Sequence, residues 1–269
     1  MKLPSPRHLL LLPLSLVMLT PLLWMVMTSI QTPNESQQFP PVLPSGIHWQ
    51  NYTNALHAVP FGRFFLNSVI VTAACVLGNL VLCSLAGYAF ARFRFFGRDL
   101  TFVVILATLM VPFQVVMIPT FLIMKDLGLI DSLGALILPN LVTPFGIFLM
   151  RQFFRTLPAE LEEAARIDGC SRLGTLVQIV LPLSGPALAT LAVITFLYSW
   201  NDFLWPLVAI QSEHHMTLQL GLSTFQGAHA TDWTLLMAGN VMAVMPMLLL
   251  FLLAQRQFVR SIAAAGVKG

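Results

Sequence analysis

The densest chemistry in the sequence lies in its second half, in the run Thr156-Leu-Pro-Ala-Glu-Leu-Glu-Glu-Ala-Ala-Arg-Ile-Asp-Gly169. Glu160, Glu162, Glu163 and Asp168 are four of the eleven acidic residues in the chain. Pro158 suits the first turn of a helix, where a missing N–H is no loss. The glutamates that follow sit near the positive end of the helix dipole, and Gly169 supplies a left-handed stop. This pattern predicts a helix of about three turns. Ser171 then caps a second short helix running to Val180, and Pro182 opens the next apolar run. The result is a helical elbow in a loop spanning about 154–181. Ala164 and Ala165 are small enough to let another protein's backbone approach closely, so the chemistry on offer is docking.

A second group surrounds Asp202, the one acidic residue embedded in an apolar run. At mid-bilayer such a residue costs on the order of 2.5–3.5 kcal/mol on the insertion scale, so it should face protein or water. With Asn201 it is placed to border a solute path, and the flanking Trp200 and Trp205 have rings that can stack on a solute. The plainer reading gives Asp202 a helix-end hydrogen bond and makes the tryptophans interfacial anchors. Pro112, Pro119, Pro139 and Pro144 interrupt apolar runs, where broken helices can expose carbonyls or act as hinges. Asn67 and Asn79 suit interhelical hydrogen bonds worth around 1 kcal/mol. Glu213-His214-His215 defines no metal geometry, and no metal site is expected. Cys75 and Cys83 share one apolar run while Cys170 lies in a polar loop, so they read as small packing residues without a disulfide framework.

The elements that must position these residues follow from composition. Of 269 residues, 57% are hydrophobic and 9% charged, and the mean hydropathy is +0.81. That leaves too little polar surface to coat a water-soluble particle, so the bilayer is the expected solvent. In hydrocarbon every backbone polar group must be satisfied within the protein, which allows helices or a closed barrel. Barrel strands alternate in polarity over roughly 10 residues; these runs are longer and do not alternate, so helices are expected. A span needs roughly 20 apolar residues. Six segments qualify, at about 9–30, 66–91, 100–124, 135–153, 183–210 and 234–255. The first is longer than a secretory h-region and reads as an uncleaved span.

Lys and Arg placement then gives orientation. With the N-terminus inside, twelve fall on the inner side and only Arg63 and Lys125 on the outer. Both termini and the elbow are therefore expected to be cytoplasmic. The basic residues do not cluster on a soluble face, so nucleic acid is not an expected partner despite a net charge of +3.

Against this frame the elbow carries a family resemblance. Glu163-Ala164-Ala165, three residues, Gly169, nine residues, Ile179, one residue and Leu181-Pro182 is similar to the EAA signature of ATP-binding-cassette importer permeases. Phe65-Leu-Asn67-Ser68, Ala86-Gly-Tyr-Ala-Phe-Ala-Arg-Phe-Arg94, Leu138-Pro139, Phe145-Gly-Ile-Phe-Leu-Met-Arg151, Trp200-Asn-Asp-Phe-Leu-Trp-Pro206 and Val267-Lys268-Gly269 resemble the maltose type, and the short N-terminal region resembles the smaller of its paired permeases. The resemblance implies an all-α, type I importer permease of six transmembrane helices in the cell (inner or plasma) membrane. It makes the elbow the coupling helix, docked on an ATPase subunit through Glu163, with Ala164 and Ala165 permitting the fit and Gly169 making the turn. Asp168 matches the common family form.

The implied partners are a second permease, an ATPase dimer and an extracytoplasmic solute-binding protein. ATP and Mg would be used by those ATPases, with no cofactor on this chain. The cargo would be a sugar or sugar derivative, with glycerol phosphate as the alternative. The chain's three lysines never follow a glycine, so no G-x-x-x-x-G-K-[ST] loop exists. Rival readings have little to work with. His8, His48, His57, His214, His215 and His229 lie at span edges or in outer loops, so no base is placed for an intramembrane serine protease. A secondary transporter would want inverted repeats and buried ionisable groups, and only Asp202 qualifies.

Overall fold

The computed structural model describes the backbone of residues 6–227 and 231–266, and the side chains of 11, 13–227 and 231–253. The terminal Val267-Lys268-Gly269, Lys2, His229 and the side chains of Arg7, His8, Arg256 and Arg260 lie outside the described residues. Among the described residues the chain is nearly all helical, with one isolated β-bridge between Gln226 and Thr231.

Among the described residues three helices are long and apolar enough to cross a membrane: Phe61–Arg92, Leu133–Thr156 and Trp233–Leu253. Two bent pairs meet the same test jointly. Arg98–Met110 turns by 105° into Phe113–Asp126, and Arg172–Leu183 turns by 82° into Gly185–Trp200. The first helix is Pro6–Ser29, with Pro13 and Pro21 inside it.

The third segment breaks at Pro112, one of the interruptions expected there, and the fifth, expected as one run to about 210, is broken as well. At 111–112 the residue before Pro112 is forced toward extended backbone, and Val111 adopts φ −85°, ψ 115°. The fifth helix ends at Trp200 rather than near 210, because Asn201 and Asp202 turn their side chains onto the backbone. Asn201 donates to the Leu197 carbonyl at 2.8 Å, and the Asp202 carboxylate accepts the Trp205 N–H at 3.3 Å, starting a separate short helix, Leu204–Ala209. In the fourth segment a 3₁₀ turn at Leu138–Asn140 precedes a restart at Pro144, whose first turn is capped by the Thr143 hydroxyl.

The chain divides into two compact units. In the first, Met1–Phe65 with Leu218–Pro246, the chain that follows Ser29 is pinned by side chains. Buried Asn51 donates to the carbonyls of Ser29 and Gln31 at 2.9 and 2.8 Å, and the Ser29 and Tyr52 hydroxyls pair at 2.7 Å. Thr32 and Glu35 close a capping box around Pro33–Ser36. Hydrogen bonds from Ser45 and the Thr32 backbone hold the Glu35 carboxyl down at about 2.

The second unit, Leu66–Thr217 with Met247–Gly269, has a core built from Cys83, Tyr88, Phe90, Phe102, Met150, Phe154, Leu176 and Leu191, among others. Here the end of Phe61–Arg92 lies against Leu133–Thr156 so closely that a Cβ on Gly87 would stand 2.7 Å from Met150 Cβ and 2.9 Å from the Arg151 nitrogen. A π turn at Asn79–Cys83 interrupts the first of these helices. It aims the buried Asn79 amide at the broken part of the other, donating to the Asn140 carbonyl at 2.7 Å and accepting the Thr143 hydroxyl at 2.8 Å. The interruptions in the two helices therefore satisfy each other, as a water-free interior demands.

Candidate functional site

The elbow begins where the helix ending at Thr156 gives way to extended Leu157. Its first helix, Glu160–Ile167, is about a turn shorter than the run from Pro158 predicts, because Ala159 serves as the N-cap and Pro158 lies ahead of it. The predicted stop at Gly169 is present. Gly169 has φ +82°, its N–H reaches the Arg166 carbonyl, and the Cys170 N–H reaches Ala165, closing a Schellman motif. Ser171 caps the next helix through the Gly174 N–H at 3.1 Å. That helix runs past Val180 to Leu183 by way of a π turn at Leu176–Val180.

The short helix has two faces of different character. Glu162 is 6% exposed and Ala165 is 3% exposed, whereas Glu163, Ala164, Asp168 and Gly169 lie open and Ile167 is 87% exposed. The two alanines of the signature are thus split, one packed inward and one outward. Nothing stands within 4 Å of a Cβ built on Gly169. The outward face presents carboxylates, small residues and one bare isoleucine, a surface suited to a protein partner.

The inward face is anchored. Arg92, the last residue of its helix, brings Nε to 2.5 Å from Glu162 Oε1 and donates through its second arm to the Leu157 carbonyl at 2.8 Å. The buried Tyr88 hydroxyl donates to the other Glu162 oxygen at 3.0 Å. On the far side of the elbow the Arg172 guanidinium lies 4.7 Å over the Phe93 ring. Sequence reasoning named Glu163 and passed over Glu162, Arg92 and Tyr88. The helical spacing of Glu162 and Ala165 was the one local signal that these two share a face.

The second candidate group is dispersed. Trp205 is 1% exposed and its indole donates to the Ala135 carbonyl at 3.0 Å, while Trp200 is buried with its ring stacked on Phe196. Asn201 is exposed and Asp202 half-buried. The tryptophans pack in the core in this conformation, leaving the polar pair alone at the break.

Glu213–His215 forms a 3₁₀ turn whose His215 ring lies 3.0 Å from the Ser212 hydroxyl, and the Asn67 amide donates to the His214 and Met216 carbonyls, each at 2.9 Å. Asp131 clamps the same loop through the Gln211 and Ser212 amides at 2.9 and 2.8 Å. The backbone N–H groups of Ser212 and Gln211 hold its carboxyl down at about 2. Among the described residues no three His, Cys, Asp or Glu side chains gather as a metal site would require.

Residues 79–264, which include the whole elbow, match the family described as the binding-protein-dependent transport system inner membrane component. The chain belongs to this family of membrane-embedded transport subunits. It is 42% identical over 209 residues to the arabinooligosaccharides transport system permease protein AraQ of Halalkalibacterium halodurans, covering 78% of this chain and 75% of that one. It is 41% identical over 234 residues to the sn-glycerol-3-phosphate transport system permease protein UgpE of Pectobacterium atrosepticum, covering 84% and 83%. The fold superposes with a TM-score of 0.81 on a chain of a bacterial ABC transporter involved in import of the acidic polysaccharide alginate, at 28% identity and covering 95% and 99%. Binding-protein-dependent ABC permeases are transport subunits rather than enzymes, and ATP in such systems is used by partner ATPases.

Proposed function

We propose that this chain is one of two paired permeases in a sugar importer, and that its elbow is the joint on which a separate ATPase acts. The observation that carries this reading is the two-sided helix Glu160–Ile167. Its inner face buries Glu162 and Ala165, with Glu162 held by Arg92 at the end of a membrane helix, and its outer face leaves Glu163, Ala164, Asp168 and Gly169 open among the described residues. Six spans put both termini and the elbow on the cytoplasmic side, with twelve of fourteen Lys and Arg residues inside. ATP-driven closure of an ATPase dimer displaces the elbow, and helix groups then rock between outward and inward access. A solute-binding protein delivers the cargo from outside. Asn201 and Asp202 border its path.

For the cargo, a sugar fits better than a glycerol phosphate, although relatives of both kinds are similar to this chain at almost equal identity. The break carries the half-buried Asp202 side chain beside exposed Asn201, and the outer loop 211–233 has no Lys or Arg. A neutral sugar tolerates that environment, whereas a phosphate would be repelled. Reconstituting the whole assembly in proteoliposomes and measuring ATP-driven uptake of labelled arabinooligosaccharide and of sn-glycerol 3-phosphate tests the cargo. Uptake of the phosphate alone would overturn the sugar reading. In the same vesicles Gly169→Asp is expected to insert normally and to lose ATPase docking or ATP-driven uptake, since it adds bulk and charge on the open face. Full uptake with tight docking would overturn the elbow's role.

A further inference from the structure

We propose that Glu162, Arg92 and Tyr88 are the positioning residues that carry displacement of the elbow into the membrane helix Phe61–Arg92, while Glu163 serves docking alone. The proposal deepens the coupling reading above and rests on it. Adjacent glutamates on one short helix have different surroundings: Glu163 is exposed, whereas Glu162 is buried against the end of another helix. Nothing in the elbow's own folding requires this. Glu162 is not the N-cap, and it accepts the Tyr88 hydroxyl and pairs with Arg92, both outside its own helix.

The geometry of the contact is that of a two-point grip. One guanidinium holds the entry to the elbow at the Leu157 carbonyl and also the carboxylate of Glu162, five residues further on. Those five residues include the N-cap and the first turn of the elbow helix, so it cannot tilt about Leu157 without pulling on Arg92. Glu162 in turn is held by two groups four residues apart on one helix, Arg92 and Tyr88, which lie on the same face a turn apart. A force on the elbow is thus received at two points a turn apart on the helix rather than at a single side chain. Arg suits the post where Lys does not, because its planar fork serves two acceptors at fixed angles. Burial matters as well: with both side chains mostly shielded, the pair is little weakened by salt or competing water. Tyr88 also lies edge-on to Phe93 and Phe154, so the end of the helix is stiff where the load arrives.

The test uses the full assembly in proteoliposomes with whichever probe, arabinooligosaccharide or sn-glycerol 3-phosphate, the unaltered chain transports. Three quantities are read: ATPase subunits co-purified, ATP hydrolysed, and probe transported per ATP. Glu162→Gln and Arg92→Gln are each expected to keep ATPase docking and to lower transport per ATP at least tenfold. The double variant is expected to be no worse than either single one, because both remove the same link. Transport per ATP at the unaltered level in either single variant overturns the proposal, as do losses that multiply in the double variant. Should the Gln variants fail to assemble, Arg92→Lys decides, since it keeps the cation but has one ammonium for two acceptors. It is expected to lower the ratio two- to fivefold, and an unaltered ratio overturns the proposal. Failure of the underlying reading looks different: no ATPase would co-purify with the unaltered chain, or Gly169→Asp would leave docking and uptake intact.

Discussion

Two carboxylates illustrate how neighbours decide what one residue type does. Glu162 is turned inward to Arg92 and Tyr88, while Glu163 beside it faces outward. Asp131 shows a third use. Its backbone sits at φ +60° and its Oδ1 gathers the Gln211 and Ser212 amides, which hold its carboxyl at about 2, below the usual 3.8. A carboxylate lowered in this way contributes stability that is fully present above its ordinary value and is lost as pH falls through the folded value. The window therefore runs from about 4 down to about 2. Thermal unfolding of the detergent-solubilised protein is expected to fall more steeply across that window in the unaltered chain than in Asp131→Asn. Equal slopes would mean that the clamp does not form.

At the scale of helices, close approach and mutual repair of breaks dominate. Gly87→Val drives a branched side chain into Met150 and the Arg151 backbone, and overpacking of this kind costs about 1–3 kcal/mol. Gly185→Ala meets open space and is expected to change stability by under about 0.5 kcal/mol. Melting temperatures of the two variants, measured side by side, check this contrast. Asn79→Leu removes the partner of the Asn140 carbonyl and the Thr143 hydroxyl, a loss of around 1 kcal/mol for a hydrogen bond between membrane helices. A melting temperature at or above that of the unaltered chain would contradict the pairing of the two breaks.

Much of this level was legible beforehand. Apolar length announces helices, and the caps of the elbow are local signals, so Gly169 and Ser171 were readable from a few neighbouring residues. What was not legible depends on partners distant in sequence. Glu162 meets Arg92 and Tyr88 about seventy residues away, and Trp205 is fixed in the core by Ala135 at a similar separation. The bend at Pro112 was readable as an interruption, but its 105° angle is set by packing.

For the molecule as a whole, family membership makes it a transport subunit, and the coupling proposed above makes its elbow the point where energy enters. The three cysteines offer a test of its orientation. Cys75 and Cys83 are 1% and 0% exposed in the packed helices, whereas Cys170 is partly open immediately after Gly169. A membrane-impermeant maleimide is expected to leave intact spheroplasts unlabelled and to label inside-out vesicles at Cys170 alone. Labelling of spheroplasts would reverse the topology. The same arrangement gives the natural polypeptide a built-in beacon: one addressable sulfur at the joint, with two others shuttered. On the coupling proposed above, a fluorophore or spin label placed there times the stroke of the transporter, turnover by turnover, before any residue has been replaced.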